Sequence, residues 1–193
     1  SVEPAPAARS PSDLGGSKAL PGLGGQTEER ALRFGSMVHR LLELGPSALK
    51  SRDSPRVIET EFGTDQIEDA GAIAQRIFDS DEFAPLFGTD ALSEVPLTAE
   101  LPGLGVLSGI IDKLIISEGE ITAVDFKTNA VEPQTASEVP EGILRQMGAY
   151  QAMLERIYPA HIVNVAILWT TTARMMVLPH DIVRDAVQRA STS

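Results

Sequence analysis

The sequence predicts an α/β sandwich with a central mixed β-sheet flanked by helices, and three observations carry that reading. Apolar residues recur at helical spacing up to about residue 87, the period then changes, and three strand-like runs follow. Helical spacing returns over 141–158, two more strand-like runs come after it, and a last helix closes the chain. At 193 residues with 42% hydrophobic residues, the chain is long enough for one domain with a core of its own.

Each element has its own local cause. Residues 1–26 hold four Pro and five Gly with no sustained hydrophobic period, which reads as a flexible linker or arm ahead of a domain over 27–193. From Thr27, a candidate N-cap followed by Glu28 and Glu29, a helix runs to Leu44 and stops at Gly45-Pro46. Leu32, Val38, Leu41 and Leu42 are expected to form its buried stripe. A second helix is expected over 65–79 (Ile67, Ala70, Ile73, Ala74, Ile77, Phe78), with a short one near 82–87. The runs LSEVPLTAEL, GVLSGIIDKLIIS and EITAVDFKT read as strands, the last two joined as a hairpin by the tight EGE connection. Ile143, Leu144, Met147, Leu154 and Ile157 give the long helix its apolar side, and Pro159 ends it. IVNVAILWT and RMMVLP are the remaining strands, and 181–190 is the final helix.

Composition narrows the function classes. There are no cysteines, which excludes disulfides, zinc-thiolate sites and iron–sulfur clusters. No apolar run approaches the ~20 residues of a membrane span, and no signal peptide opens the chain, so a cytoplasmic protein is expected. The first residue is Ser rather than Met, as in a domain excised from a longer protein. A net charge of −11 argues against a domain that grips nucleic acid by its own field.

The chemistry concentrates around GEITAVDFKTNA, residues 119–130. On a strand, Ile121, Ala123, Asp125 and Lys127 share one face, and Thr122, Val124 and Phe126 share the other. Asp-x-Lys alone is a weak motif, equally the solvated end of a strand. Asp112, however, sits inside the apolar run of the strand hairpinned to it, so two carboxylates are expected within a few ångströms of each other. Such a pair is tolerable mainly with a cation between them, and oxygen ligands suit Mg²⁺ or Mn²⁺. Lys127 beside that ion is a point charge able to orient a water or offset charge on a phosphoryl oxygen. His39 lies one turn after Gly35 at the edge of the first helix's stripe and, taken alone, is an ordinary helix histidine. Gln146 and Tyr150, at i and i+4, share a face of the long helix. Glu94, on the first strand, is a weaker candidate.

The ordered set Gly35-x-x-x-His39, Gly109-x-x-Asp112, Asp125-x-Lys127-Thr128 and Gln146-x-x-x-Tyr150 resembles the RecB-type branch of the PD-(D/E)xK nuclease superfamily. SPSDL, LFGTDALSEVPL, GIIDKL, VDFKTN and VPEGILRQMGAYQAML are similar, more closely, to the C-terminal nuclease domain of AddA-type subunits of bacterial double-strand-break repair helicase–nucleases. Lys113 departs from the arginine common there. The resemblance implies a restriction-endonuclease-like fold and a Mg²⁺- or Mn²⁺-dependent exonuclease acting in DNA repair and recombination. It implies metal ligation by His39, Asp112, Asp125 and the Phe126 carbonyl, catalysis through Asp112, Asp125 and Lys127, and site organisation by Gln146 and Tyr150. It further implies single-stranded DNA ends delivered by a helicase portion of the parent chain, an AddB-type partner subunit, cutting of the 3′-ended strand, and a bacterial cytoplasmic location. No Walker A sequence exists in this chain to supply the motor itself. Two other readings stand beside this one: a non-catalytic module of the same fold that binds DNA or protein, and a stand-alone metal-dependent phosphodiesterase.

Overall fold

A computed structural model of the chain describes residues 7–16, 26–50, 54–129 and 131–192. Five strands, β1 (Ala91–Leu101), β2 (Gly105–Ser117), β3 (Glu120–Lys127), β4 (Ile162–Trp169) and β5 (Arg174–Val177), form one sheet in that spatial order. The β3–β4 pair is parallel and the others antiparallel, so the sheet is mixed, as the sequence predicts. A parallel pair needs a crossover, and α5 (Glu141–Ile157) supplies it. Gly119, at φ +79°, makes the tight turn between β2 and β3 that a side chain would strain.

Both faces of the sheet are covered, and alternation along β3 divides the core in two. Ile121 and Ala123 face Ile143, Met147 and Leu154 of α5 and Val183 of α6 (His180–Ser191). Val124 and Phe126 face Met37, Val38 and Leu42 of α1 (Gln26–Leu44) and Ile73, Ala74 and Ile77 of α4 (Ile67–Phe78). Each fully buried Val, Leu, Ile, Met or Phe side chain among these contributes ~1.5–3 kcal/mol. With both faces buried, Asp125 and Lys127 cannot be a solvated strand end.

Several expectations need correction. α1 starts at Gln26, which puts Thr27 inside the first turn rather than at the cap. The stretch after Gly45 forms two short helices, α2 (Pro46–Lys50) and α3 (Ser54–Phe62), too brief for periodicity to show. The expected short helix near 82–87 is a 3₁₀ segment, Asp81–Phe87. Within the 1–26 arm, residues 7–16 are docked against the fold: Arg9 N–H donates to the Val106 carbonyl (3.0 Å), Ser108 N–H donates to the Arg9 carbonyl (2.9 Å), and Leu14 is buried. Residues 1–6 and 17–25 of that arm lie outside the described residues. No helix among the described residues is long and apolar enough to cross a membrane.

One irregularity of the sheet matters most. From Ser117 to Lys113, β2 pairs with β3 residues Glu120 to Val124. One step further the same register would set Asp112 opposite Asp125, but the ladder stops there and Asp112 Oδ2 takes the Phe126 N–H instead, at 2.6 Å. On the other side of β2, pairing skips Glu94, which interrupts β1 at φ +50° between Ser93 and Val95, the partners of Lys113 and Ile111. The sheet therefore splays at Asp112, and the gap opens between the two helical layers.

Candidate active site

The gap gathers side chains from both layers. Asp125 and Lys127 point to the α5 side, where Lys127 Nζ stands 2.5 Å from Asp125 Oδ2 and donates to Gln146 Oε1 at 3.3 Å. Gln146 Nε2 reaches the Tyr150 hydroxyl at 3.5 Å, and that hydroxyl donates to the Ile110 carbonyl at 2.8 Å. From the other layer, the His39 ring meets Phe126 edge-on at 5.7 Å and sets Nδ1 3.7 Å from Asp112 Oδ2. Past Lys127 the strand is pinned by Thr170, whose N–H donates to the Lys127 carbonyl (2.9 Å) and whose hydroxyl lies 2.7 Å from that of Thr128. Tyr150 is 4% exposed, so it acts from behind the gap rather than on its open side.

Electrostatics sets the protonation states. Burial, and then the neighbouring Asp125 carboxylate, hold the Asp112 carboxyl well above the usual carboxylate range, only partly offset by the Phe126 N–H. Burial lowers the His39 pKa, and Lys127 adds to that against the pull of Asp125, which leaves a neutral imidazole with a lone pair to offer. Burial, the largest single influence, works to lower the Lys127 pKa, but the charge and hydrogen bonding of Asp125 together with the charge of Asp112 outweigh it and the net shift is upward, so Lys127 stays an ammonium. The Lys127–Asp125 approach is close yet poorly aligned. Asp125 Oδ2 is buried and accepts no well-formed hydrogen bond.

That underused oxygen, the raised Asp112 and the neutral His39 make a donor set whose chemistry fits a hard divalent cation. As they stand, the carboxylates are held by Lys127 and by the Phe126 N–H. Among the described residues no three His, Asp or Glu side chains converge as a ready cage. The donors fit such an ion in kind, and their oxygen atoms must turn from protein partners to bind it.

A sequence model of one family spans nearly the whole chain: that of the PD-(D/E)XK nuclease superfamily matches residues 17–189. The chain belongs to the PD-(D/E)XK nuclease superfamily. No curated protein matches it. A solved structure described as the crystal structure of SSO0001 is similar at 14% identity over 86% of this chain and 87% of that one, with a TM-score of 0.37, too loose a likeness to carry a conclusion.

In this PD-(D/E)XK chain a cleft of about 460 Å³ leads to the gap, lined among others by Leu32, Ser36, His39, Glu94, Asp112 and Lys127. Gly35 lines it too, but a Cβ there would make only ordinary contact, 3.7 Å from Thr128 Cβ, so the protein alone does not enforce a close approach at this glycine. Glu94 faces the cleft from its left-handed backbone, its carboxyl pKa raised by burial and then by Glu43. Sequence reasoning missed Glu43 and Thr170. Glu43 is four residues after His39 and shares its helix face, a spacing that was available to find it. Thr170 carries no signal beyond closing an apolar strand.

Proposed function

We propose that this chain is a Mg²⁺- or Mn²⁺-dependent deoxyribonuclease domain, hydrolysing DNA phosphodiesters as the nuclease part of an AddA-type helicase–nuclease. The observation that carries this reading is the ending of the β2–β3 ladder between Asp112 and Asp125, with Lys127 on the same face and His39 arriving from the opposite layer. A divalent ion held by Asp112, Asp125, His39 and the Phe126 carbonyl would supply Lewis-acid stabilisation and a nucleophilic water at neutral pH. Lys127, kept charged by Asp125 and aimed by Gln146, orients that water and offsets charge developing on the phosphoryl oxygens. Tyr150 ties Gln146 to the backbone of β2, so one chain of hydrogen bonds runs from the lysine to the Ile110 carbonyl, two residues before Asp112.

The finer assignment rests on the AddA resemblance of the motifs. It comprises cutting of the 3′-ended strand during resection of double-strand breaks, delivery of single-stranded ends by a helicase portion of the parent chain with an AddB-type subunit, and a bacterial cytoplasmic setting, with the domain read over 27–193 extended by the docked residues 7–16. Acidity supports the dependence on partners. Among the described residues the cations lining the cleft are Arg40, paired with Glu43 and Glu61, and Lys127, paired with Asp125. Incubating the chain with single-stranded DNA, RNA and a simple aryl phosphodiester, each with Mg²⁺ or Mn²⁺, tests the reading. DNA cleavage alone is expected. Hydrolysis of the aryl ester but not DNA would favour a stand-alone phosphodiesterase. Because an isolated domain without its motor can be silent, the same test is run on the assembled helicase–nuclease with the partner's own nuclease inactivated, and no metal-dependent cleavage there overturns the proposal.

A further inference from the structure

The motif SPSDL, Ser10–Leu14, lies ahead of the family match and takes no part in the chemistry above, yet it is built into the back of the site. Where β3 parts from β2 after Val124, the edge of β2 would be left with unpaired backbone groups, which are costly when buried. They are met in sequence. The Val106 carbonyl and Ser108 N–H bond to Arg9, the Ile110 carbonyl accepts from Tyr150, and the next position along that line is Asp112, whose carboxylate takes the Phe126 N–H. The arm thus continues the line that β3 abandons.

At Ser10 the arm turns. The Ser10 hydroxyl accepts from Ser12 N–H at 3.3 Å, a 3₁₀ turn follows over Pro11–Asp13, and Pro11 is buried. A Cβ placed on Gly109 would lie 3.0 Å from Pro11 Cδ and 3.0 Å from Tyr150 Cε1, so proline ring, glycine backbone and tyrosine ring close on one another tightly enough that a methyl group there would have to push a ring back. Beyond the turn, Leu14 enters the α5-side core and its carbonyl accepts from Arg145 Nη1 at 3.0 Å, one residue before Gln146.

We infer that the Ser10–Leu14 turn is a positioning element of the nuclease site, in which Pro11 clamps Gly109 against Tyr150 and so fixes where β2 presents Asp112. The inference rests on the nuclease reading. Pro11 touches no reacting atom; it acts through Tyr150, whose hydroxyl holds the Ile110 carbonyl two residues before Asp112. A displacement of about 1 Å at a catalytic group can cost on the order of a hundredfold in rate, and loosening an outer support costs about 10–100-fold.

The test uses the full chain with Pro11→Gly, which opens the clamp and leaves the Arg9 backbone pairing possible. Leu101→Ala, a cavity in the same core at the far end of β1, serves as control. Two quantities are read at a temperature where all variants are folded: single-turnover cleavage of single-stranded DNA at saturating concentration, and hydrogen exchange of the Ser108 and Phe126 amides. Pro11→Gly is expected to slow cleavage at least about tenfold with KM within about twofold, and to accelerate exchange at Phe126, whose partner is the Asp112 carboxylate. Leu101→Ala should change neither. Cleavage and Phe126 exchange unchanged in Pro11→Gly, or lost equally in Leu101→Ala, overturns the inference. If the wild-type chain alone does not cut, cleavage by all variants is read in the assembled helicase–nuclease with the partner's own nuclease inactivated; silence of wild type there overturns the nuclease reading, and the Phe126 amide still decides whether the clamp positions Asp112.

Discussion

Asp112 carries the heaviest electrostatic load of any residue in the site, because it is buried beside a second carboxylate and held by one backbone N–H. Its folded-state pKa lies above the unfolded value. The stability it contributes is therefore fully present at acidic pH and lost as pH rises through the folded pKa. In metal-free protein, wild type should lose stability relative to Asp112→Asn across that window, since the amide carries no charge to bury. A cation reverses the balance. At a concentration a hundredfold above its Kd, Mn²⁺ should stabilise wild type by ~2.7 kcal/mol, about 5–10 °C in Tm for a chain of this size, and Asp112→Asn by far less. Thermal unfolding from pH 4 to 8, with and without Mn²⁺, checks both. Equal Mn²⁺ stabilisation of the two proteins would remove Asp112 from the ligand set.

At the scale of elements, the site depends on how closely helices approach the sheet and each other. Gly148 of α5 faces α6 so tightly that a Cβ would fall 2.2 Å from the Val183 carbonyl. Gly148→Ala should destabilise the domain by roughly 1–3 kcal/mol or more by forcing the helices apart, visible as a lowered urea midpoint with m unchanged. That glycine gives no sign in the sequence, where it reads as one more position of an amphipathic helix. The strands were far more legible. GVLSGIIDKLIIS and EITAVDFK occupy β2 and β3 because apolar, β-branched runs bounded by Glu118-Gly119 allow little else. What pattern reasoning lacked was anything non-local. Ser54–Phe62 is too short to show a period, and the Pro- and Gly-rich arm reads as loose because composition does not reveal that Pro11 and Leu14 have partners nearly a hundred residues or more away. The approach of Asp112 to Asp125 followed from a hairpin, whereas the arrival of His39 beside them came only with the resemblance, since spacing within one helix cannot say which strand it will cover.

For the whole molecule the governing quantity is charge. A net charge of −11, with the cleft's two cations already paired, leaves little with which to neutralise phosphates. The isolated chain should bind single-stranded DNA weakly, and with a shallow dependence of log K on log salt, because the slope counts the phosphates neutralised. Tight, steeply salt-dependent binding measured by fluorescence anisotropy would contradict the view that other domains hold the substrate. Such dependence also guides the test of the central claim, that Asp125 and Lys127 form a hydrolytic site and not a buried structural ion pair. The decisive measurement is cleavage of the 3′-ended strand by the proposed helicase–nuclease assembly, its partner's nuclease inactivated, carrying Lys127→Ala, with Mn²⁺ binding measured on the same variant. Ammonium is not a ligand, and its removal frees Asp125 Oδ2, so Mn²⁺ should bind at least as well as in wild type while cleavage falls by about a hundredfold or more. Undiminished cleavage by Lys127→Ala would contradict the account.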